Sequence, residues 1–245
     1  MTTGTTPEGV TSEEAASRWV RGMFGRVAAR YDLLNHLLSF NLDKRWRART
    51  VERVGDVLAR PGAKALDLCC GTGDVLLSLV ARNGAAAVYG SDFCHPMLIE
   101  AQRKISSRRL RSPLFEADAL VLPLPSASFD LITIAFGFRN LANYGNGLQE
   151  LARVLKPGGV LAILEFSQPT NRPFAALYGF FSVRVLPWIG GMISGSRDAY
   201  SYLPESIRKF PGAEDLAGQI RAAGFARVDF ERLTFGAVAL HIAHK

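Results

Sequence analysis

Apolar and polar positions change their period along the chain, and the change divides it into parts. Residues 1–17 are Thr-, Gly- and Glu-rich and show no period, so a mobile tail is expected there. From Arg18 the spacing is helical. Val20, Phe24, Val27 and Tyr31 form one stripe, with Arg18, Arg21, Arg26 and Arg30 off it. An apolar run, Leu33–Phe40, follows, and then a basic helix over Asp43–Ala59 that stops before Pro61-Gly62. Short apolar strands then alternate with helical segments. Strands are predicted at Lys64–Cys69, Ala86–Ser91, Leu114–Glu116, Phe129–Phe136 and Val160–Phe166, and helices at Asp74–Arg82, His95–Leu110 and Asn146–Leu155. This βαβ alternation implies an α/β fold with a parallel sheet covered on both faces. A last helix, Ala213–Ala223, precedes two strands near 226–233 and 236–243. These are close enough in sequence to pair antiparallel.

Composition narrows the class. The 245 residues are 48% apolar and 21% charged, which excludes disorder or a coiled coil as a whole-chain description. Three cysteines, Cys69, Cys70 and Cys94, give neither a disulfide framework nor zinc spacing, so no metal is expected. The first seventeen residues lack a basic and an apolar region of the signal-peptide kind, and a cytoplasmic, reducing location is the expectation. Pro173–Ile193 is the most apolar stretch, but Arg184, Pro187 and Gly190-Gly191 interrupt it, so it reads as short inserted helices rather than a membrane span. The net charge of +7 points to an anionic partner: nucleic acid, a phosphorylated ligand or a membrane surface.

Candidate chemistry begins at the first strand–helix turn, Asp67-Leu68-Cys69-Cys70-Gly71-Thr72-Gly73. Glycines allow close backbone approach to a ligand, and a helix N-terminus follows. Asp92, 19 residues after Gly73 at the end of the second strand, is placed to accept ribose hydroxyls. The position expected to hold the third small residue of a dinucleotide fingerprint is Leu76, and no Gly-Lys-Ser/Thr of a P-loop is present. Asp67 would repel a pyrophosphate but suits a cationic amine. S-adenosylmethionine, an adenosine joined to a sulfonium and an amino acid, meets these demands; a plain tight turn is the competing explanation.

Four segments resemble one family. They are Tyr31-Asp32-Leu33-Leu34-Asn35 through Ser39 to Trp46; Leu66–Asp74; Phe136-Gly137-Phe138-Arg139-Asn140 with Arg153–Gly159 and Leu164–Ser167; and Tyr202–Pro211. Together they resemble the C-methyltransferases of menaquinone and ubiquinone biosynthesis, within the class I methyltransferases. The second segment is shared by many methyltransferases, and the others are specific to the quinone family. The chain departs from the family pattern at Leu34, Asp43, Ala135 and Phe138, and no role is assigned to Asp43.

The resemblance implies a doubly wound, mostly parallel seven-stranded Rossmann-like sheet with an antiparallel last strand. It also implies one methyltransferase domain over 18–245, with an N-terminal helical lid at 18–60 and a helical insertion at 168–212. It implies S-adenosylmethionine-dependent methylation of a ring carbon in a polyprenylated hydroquinol, demethylmenaquinol to menaquinol first and a ubiquinol precursor as the alternative. Carried over residue by residue, Arg139 and Asn140 are the expected catalytic pair. Asp67, Gly71, Thr72, Gly73, Asp92, Asp118 and Ala119 are expected at the cofactor, and Phe24 and Tyr31 above it as a lid. Pro173–Ile193 is the expected tail-binding segment. The plain alternatives are a surface ion pair for Arg139, turn roles for Asn140 and Asp118, and core packing for Phe24 and Tyr31. A substrate-facing or structural role is open for Glu165. An RNA or DNA methyltransferase is the lower alternative, without a catalytic tetrad in the sequence. A catalytically dead interaction domain is disfavoured by the intact cofactor motif. With nucleic acid set aside, the charge leaves peripheral contact with an anionic membrane, for which Lys104, Arg108 and Arg111 share one helical face.

Overall fold

Alternate residues of each central strand feed opposite core layers. Val160, Ala162 and Leu164 pack with Leu76, Leu131 and Ile105, whereas Leu161 and Ile163 pack with Ile132, Ile134, Phe138 and Leu151. Side chains of a strand alternate between its faces, so a strand apolar at every position must be covered on both. The structure, a computed structural model, describes residues 4–5, 7–82, 86–180 and 197–245. Seven strands form one sheet: β1 Lys64–Leu68, β2 Ala87–Asp92, β3 Leu114–Glu116, β4 Phe129–Ala135, β5 Leu155–Phe166, β6 Arg227–Leu233 and β7 Val238–His244. Their order is β3-β2-β1-β4-β5-β7-β6. The first five are parallel, and β7 runs antiparallel between β5 and β6. The covered parallel sheet expected from the alternation and the doubly wound class implied by the resemblance are the ones found.

The helices are α1 Glu13–Val27, α2 Tyr31–Leu38, α3 Leu42–Arg53, α4 Gly55–Leu58, α5 Asp74–Arg82, α6 His95–Ser107, α7 Tyr144–Val154, α8 Arg172–Phe180, α9 Arg197–Lys209 and α10 Ala213–Ala222. Strand order reverses between β1 and β4, and their carboxyl ends leave the crevice where ligands of open α/β sheets bind. Helices α1, α2, α3 and α9 border this end through Phe24, Tyr31, Trp46 and Tyr202.

Four boundaries correct the sequence expectations. The first helix starts at Glu13, not Arg18, because Ser12 caps it by accepting from Ala15 N at 3.2 Å and two acids occupy its first turn. Upstream, Thr5 is buried and donates its N–H to Leu141 O at 2.8 Å, so this part of the expected mobile tail is held. The single basic helix divides at Val54-Gly55 into α3 and α4. β5 starts at Leu155, which pairs with Phe129; Lys156–Gly159 bulge from the ladder before Val160 pairs with Leu131, with Gly158 left-handed and its N–H donated to Lys245 O. Of the apolar stretch 173–193, residues 173–180 fall in α8 and the remainder lies outside the described residues. Among the described residues no helix is long and apolar enough to cross a membrane.

Candidate active site

The loop leaving β1 is left-handed at Cys69, Gly71 and Gly73, with φ of 54°, 54° and 86°. Two of those positions are glycine, as that region of φ favours. At Gly73 the closeness of α6 adds a second reason, since a Cβ would stand 3.2 Å from that of Ala101. Across the switch point Gly137 meets the same loop, and a Cβ there would lie 2.4 Å from Cys69 Cβ. Three adjoining hollows lie around this loop, of about 620, 340 and 700 Å³ with their solvent-open mouths included. The first lies among Phe24, Asp92, Asp118, Ala119 and Asn140. The second is polar, between Asp67, Thr72 and Asp74. The third is aromatic, walled by Trp46, Phe136, Phe166 and Tyr202, with Arg139 among its lining residues. Tyr31 borders all three.

The carboxylates differ in how they are satisfied. Asp67 Oδ1 accepts from Thr133 Oγ1 at 2.7 Å, while its buried Oδ2 has no hydrogen-bond partner among the described residues. Burial pushes its pKa up to about 7. Asp92 accepts from Gly71 N at 2.8 Å and Cys94 N at 2.9 Å, and burial raises it to about 6. Each of its oxygens keeps a lone pair for a hydroxyl donor. Asp118 accepts from Leu120 N at 2.9 Å, the turn role considered for it, and it also borders the first hollow beside Ala119. An orphaned carboxylate in a polar hollow fits an ammonium group. A hollow edged by Asp92 and Asp118 fits an adenosine. The residues therefore fit S-adenosylmethionine. Burial raises the Cys69 and Cys70 thiols well above their usual range, so neither is a thiolate nucleophile at neutral pH.

Arg139 and Asn140 lie in a 3₁₀ turn just past β4, both buried. Arg139 Nη1 donates to Glu165 Oε1 at 2.9 Å and to Phe136 O at 2.6 Å, and its backbone N–H donates to Glu165 Oε2 at 3.1 Å. Its buried Nε has no hydrogen-bond partner among the described residues, and its guanidinium stands 5.1 Å from the centre of the Phe166 ring. Burial disfavours this cation, but Glu165 together with the Tyr31 and Tyr202 oxygens outweighs it and raises the pKa, so Arg139 is charged at every working pH. The surface ion pair considered for Arg139 is instead a buried one. Asn140 Oδ1 accepts from Tyr202 Oη at 3.0 Å, and Tyr202 in turn meets Thr5 Oγ1 at 2.6 Å. Phe24 packs edge-on against Tyr31, with ring centres 5.9 Å apart.

A chain of charges ties the helices to this loop. Asp43 Oδ2 accepts from Arg47 Nη1 at 2.5 Å and pairs with His36 Nδ1 at 2.7 Å, and Oδ1 accepts from Ser39. Burial opposes its charge, but Ser39, Arg47 and His36 overcome this and hold the Asp43 carboxyl below the usual range. Arg47 continues to Asp74 at 3.0 Å, Asp74 to Lys104 at 2.7 Å, and Lys104 to Asp32 at 2.5 Å. Thr72 Oγ1 donates to Asp32, closing the chain at the cofactor loop. The ligand atoms of His36, Asp43 and Asp74 lie within 4.8 Å of one another, with Arg47 Nη1 bonded to both carboxylates. Lys104 points inward, which corrects its placement on a membrane-facing stripe. Sequence reasoning did not assign Glu165, Tyr202, Thr5, Arg47 or Asp43. Glu165, Tyr202 and Thr5 act through partners distant in sequence, and Arg47 joins Asp43, four residues before it, to Asp74, 27 residues after it; only the quoted family segments flagged Glu165 and Tyr202.

The match to known proteins covers most of the chain. Residues 11–245 match the model of the ubiE/COQ5 methyltransferase family. A demethylmenaquinone methyltransferase of Thermus thermophilus is 50% identical over 91% of this chain and 100% of its own. One of Deinococcus radiodurans is 44% identical over 92% of each. A ubiquinone/menaquinone biosynthesis C-methyltransferase of Syntrophotalea carbinolica is 46% identical over 90% of this chain and 92% of its own. Among solved structures, a possible histamine N-methyltransferase of Thermotoga maritima shares the fold at a TM-score of 0.65 and 17% identity, over 91% of this chain and 98% of its own. With the polar and adenosine-sized hollows in place, the chain belongs to the ubiE/COQ5 methyltransferase family and takes S-adenosylmethionine as its methyl donor.

Proposed function

We propose that the enzyme methylates a ring carbon of a polyprenylated hydroquinol, converting a demethylmenaquinol to the menaquinol. One observation carries this: Arg139, buried and charged, lines an aromatic-walled hollow that shares Phe24, Tyr31 and Phe136 with the cofactor site as a common wall. The bound cofactor supplies an electrophilic methyl group. The protein has to make a ring carbon nucleophilic, which happens when a neighbouring phenol ionises. A free phenol does so near pKa 10. The Nε and Nη2 edge of Arg139 makes no hydrogen bond among the described residues and is turned to the phenolate role. Glu165, spent on Arg139 and the Phe166 N–H, fixes that guanidinium rather than taking a proton. Tyr202 holds the Asn140 carboxamide by its oxygen and leaves an amide N–H for the acceptor. Asp67 would hold the cofactor's ammonium and Asp92 its ribose, with Gly71, Thr72, Gly73, Asp118 and Ala119 as the remaining residues that would hold it. Phe24 and Tyr31 close the site to water and present ring faces to the sulfonium.

The relatives named demethylmenaquinone methyltransferase support a naphthoquinol acceptor, and the Syntrophotalea relative keeps a benzoquinol precursor as the second reading. The purified enzyme, incubated with isotopically labelled cofactor and each hydroquinol at matched tail length, separates the two by mass analysis of the product. A labelled methyl on the naphthoquinol ring carbon is expected. Label on oxygen, or on the benzoquinol alone, overturns this reading.

A further inference from the structure

Six large apolar side chains are well exposed among the described residues: Leu33, Leu37, Phe40, Ile99, Val121 and Phe235. Two of them, Leu33 and Leu37, lie one turn apart on one face of α2, 61% and 47% exposed. Leu34, 1% exposed, already makes this short helix's contact with the interior, so the outer stripe is a second apolar face. Phe40 and Asn41, both left-handed, then reverse the chain into α3. Its first turn carries Lys44 and Arg45, exposed and without ion pairs among the described residues. Cations at a helix N-terminus are opposed by the helix dipole, so helix stability does not account for them. An apolar stripe edged by cations suits the headgroup layer of an anionic bilayer. The same two elements line the acceptor hollow through Asn35, Ser39, Asp43 and Trp46.

We propose that α2 and the first turn of α3 dock this enzyme on an anionic lipid bilayer, placing the acceptor hollow at the membrane surface. The purpose rests on the hydroquinol reading above, but the test does not. A second copy fits this face less well. Self-pairing would gather Lys44 and Arg45 of both copies, while the nearby acids Asp32 and Asp43 are committed inward. The basic end of α6 is the competing surface. It lacks a comparable stripe, with Lys104 turned inward and Arg103 paired to Glu100 at 2.6 Å.

Cosedimentation with vesicles of equal phosphatidylglycerol and phosphatidylcholine, against phosphatidylcholine alone, tests the proposal. The parent enzyme is expected to bind the anionic vesicles at low salt and to release at high salt. Leu33→Ser/Leu37→Ser should lower binding at least tenfold, Lys44→Glu/Arg45→Glu should abolish the preference for anionic lipid, and Arg103→Glu/Arg108→Glu should bind as the parent does. Stabilisation by added cofactor confirms that each variant is folded. Parent-like binding by the leucine variant overturns the proposal, as does equal loss in the α6 variant. A parent dimer that the leucine variant dissociates, without vesicle binding, also overturns it. Methyl transfer to a tail-less hydroquinol in vesicle-free buffer reads the activity separately: its failure with vesicle binding intact removes the proposed reaction and leaves the docking surface standing.

Discussion

Asp67 is the residue at which stability and ligand binding pull in opposite directions. Its pKa stands near 7 because burial disfavours the charge, so its folded value is raised above the ordinary one. A raised carboxylate contributes stability at low pH that is lost as pH rises through about 7. Asp67→Asn is therefore expected to stabilise the cofactor-free protein above pH 7 by roughly 2–4 kcal/mol and to bring little gain in acid. Cofactor affinity should weaken at least tenfold in the variant. In the parent it should weaken as pH falls through 7, because a neutral acid pairs poorly with an ammonium. Thermal unfolding and calorimetric titration at acidic and alkaline pH check both; equal stabilisation at the two ends would contradict the account. At Arg139 the useful substitution is lysine, which keeps a cation opposite Glu165 but loses the planar fork. Arg139→Lys is expected to lower kcat by about 10²–10³ with cofactor affinity near the parent's. Undiminished turnover would leave Arg139 as a structural partner of Glu165 only.

Among the elements, α2 and the start of α3 are tied to the cofactor loop by a chain of charges, while Trp46 and Val51 anchor α3 in the apolar core. Asp43 is central, and its folded pKa is depressed, so its contribution is present above the ordinary carboxylate range and lost as pH falls through it. Asp43→Asn leaves Arg47 without its nearest carboxylate and should cost about 2–4 kcal/mol at neutral pH. That difference should close in acid, as read from denaturant midpoints, and cofactor affinity should fall with the loosened helices. This network also marks where sequence reading stopped. Strand and helix were legible because their periods are local, and Asp67, Gly71, Gly73 and Asp92 were legible because a βα turn fixes their spacing. The network was not. Asp43 stood apart from the family pattern, and Lys104 sat in an arginine-rich run that resembles any solvated face. Tyr202 meets Asn140 across 62 positions, and Thr5 meets Tyr202 across 197, from a segment whose composition suggested disorder. No local period encodes a contact of that range.

For the whole molecule, the hollows at the carboxyl end of the sheet are bounded by elements from both halves of the chain, so ligand occupancy should be felt globally. Cofactor at about one hundred times its Kd should add about 2.7 kcal/mol and raise Tm by roughly 5–10 °C, measurable by a thermal-shift titration. Asp67→Asn should shrink that increment even where it raises the Tm of the free protein. The position of β7 bears on how the molecule is made. It is the last strand in sequence, yet it lies between β5 and β6, and β6 joins the sheet only through it. During synthesis, β5 keeps a bare, apolar edge and β6 has nowhere to attach until Val238–His244 leaves the ribosome. Such an edge invites pairing with other chains. The nascent protein therefore stays exposed to aggregation until those seven residues emerge, and a stop codon before Val238 would yield a chain for the cell's proteases rather than a weakened enzyme.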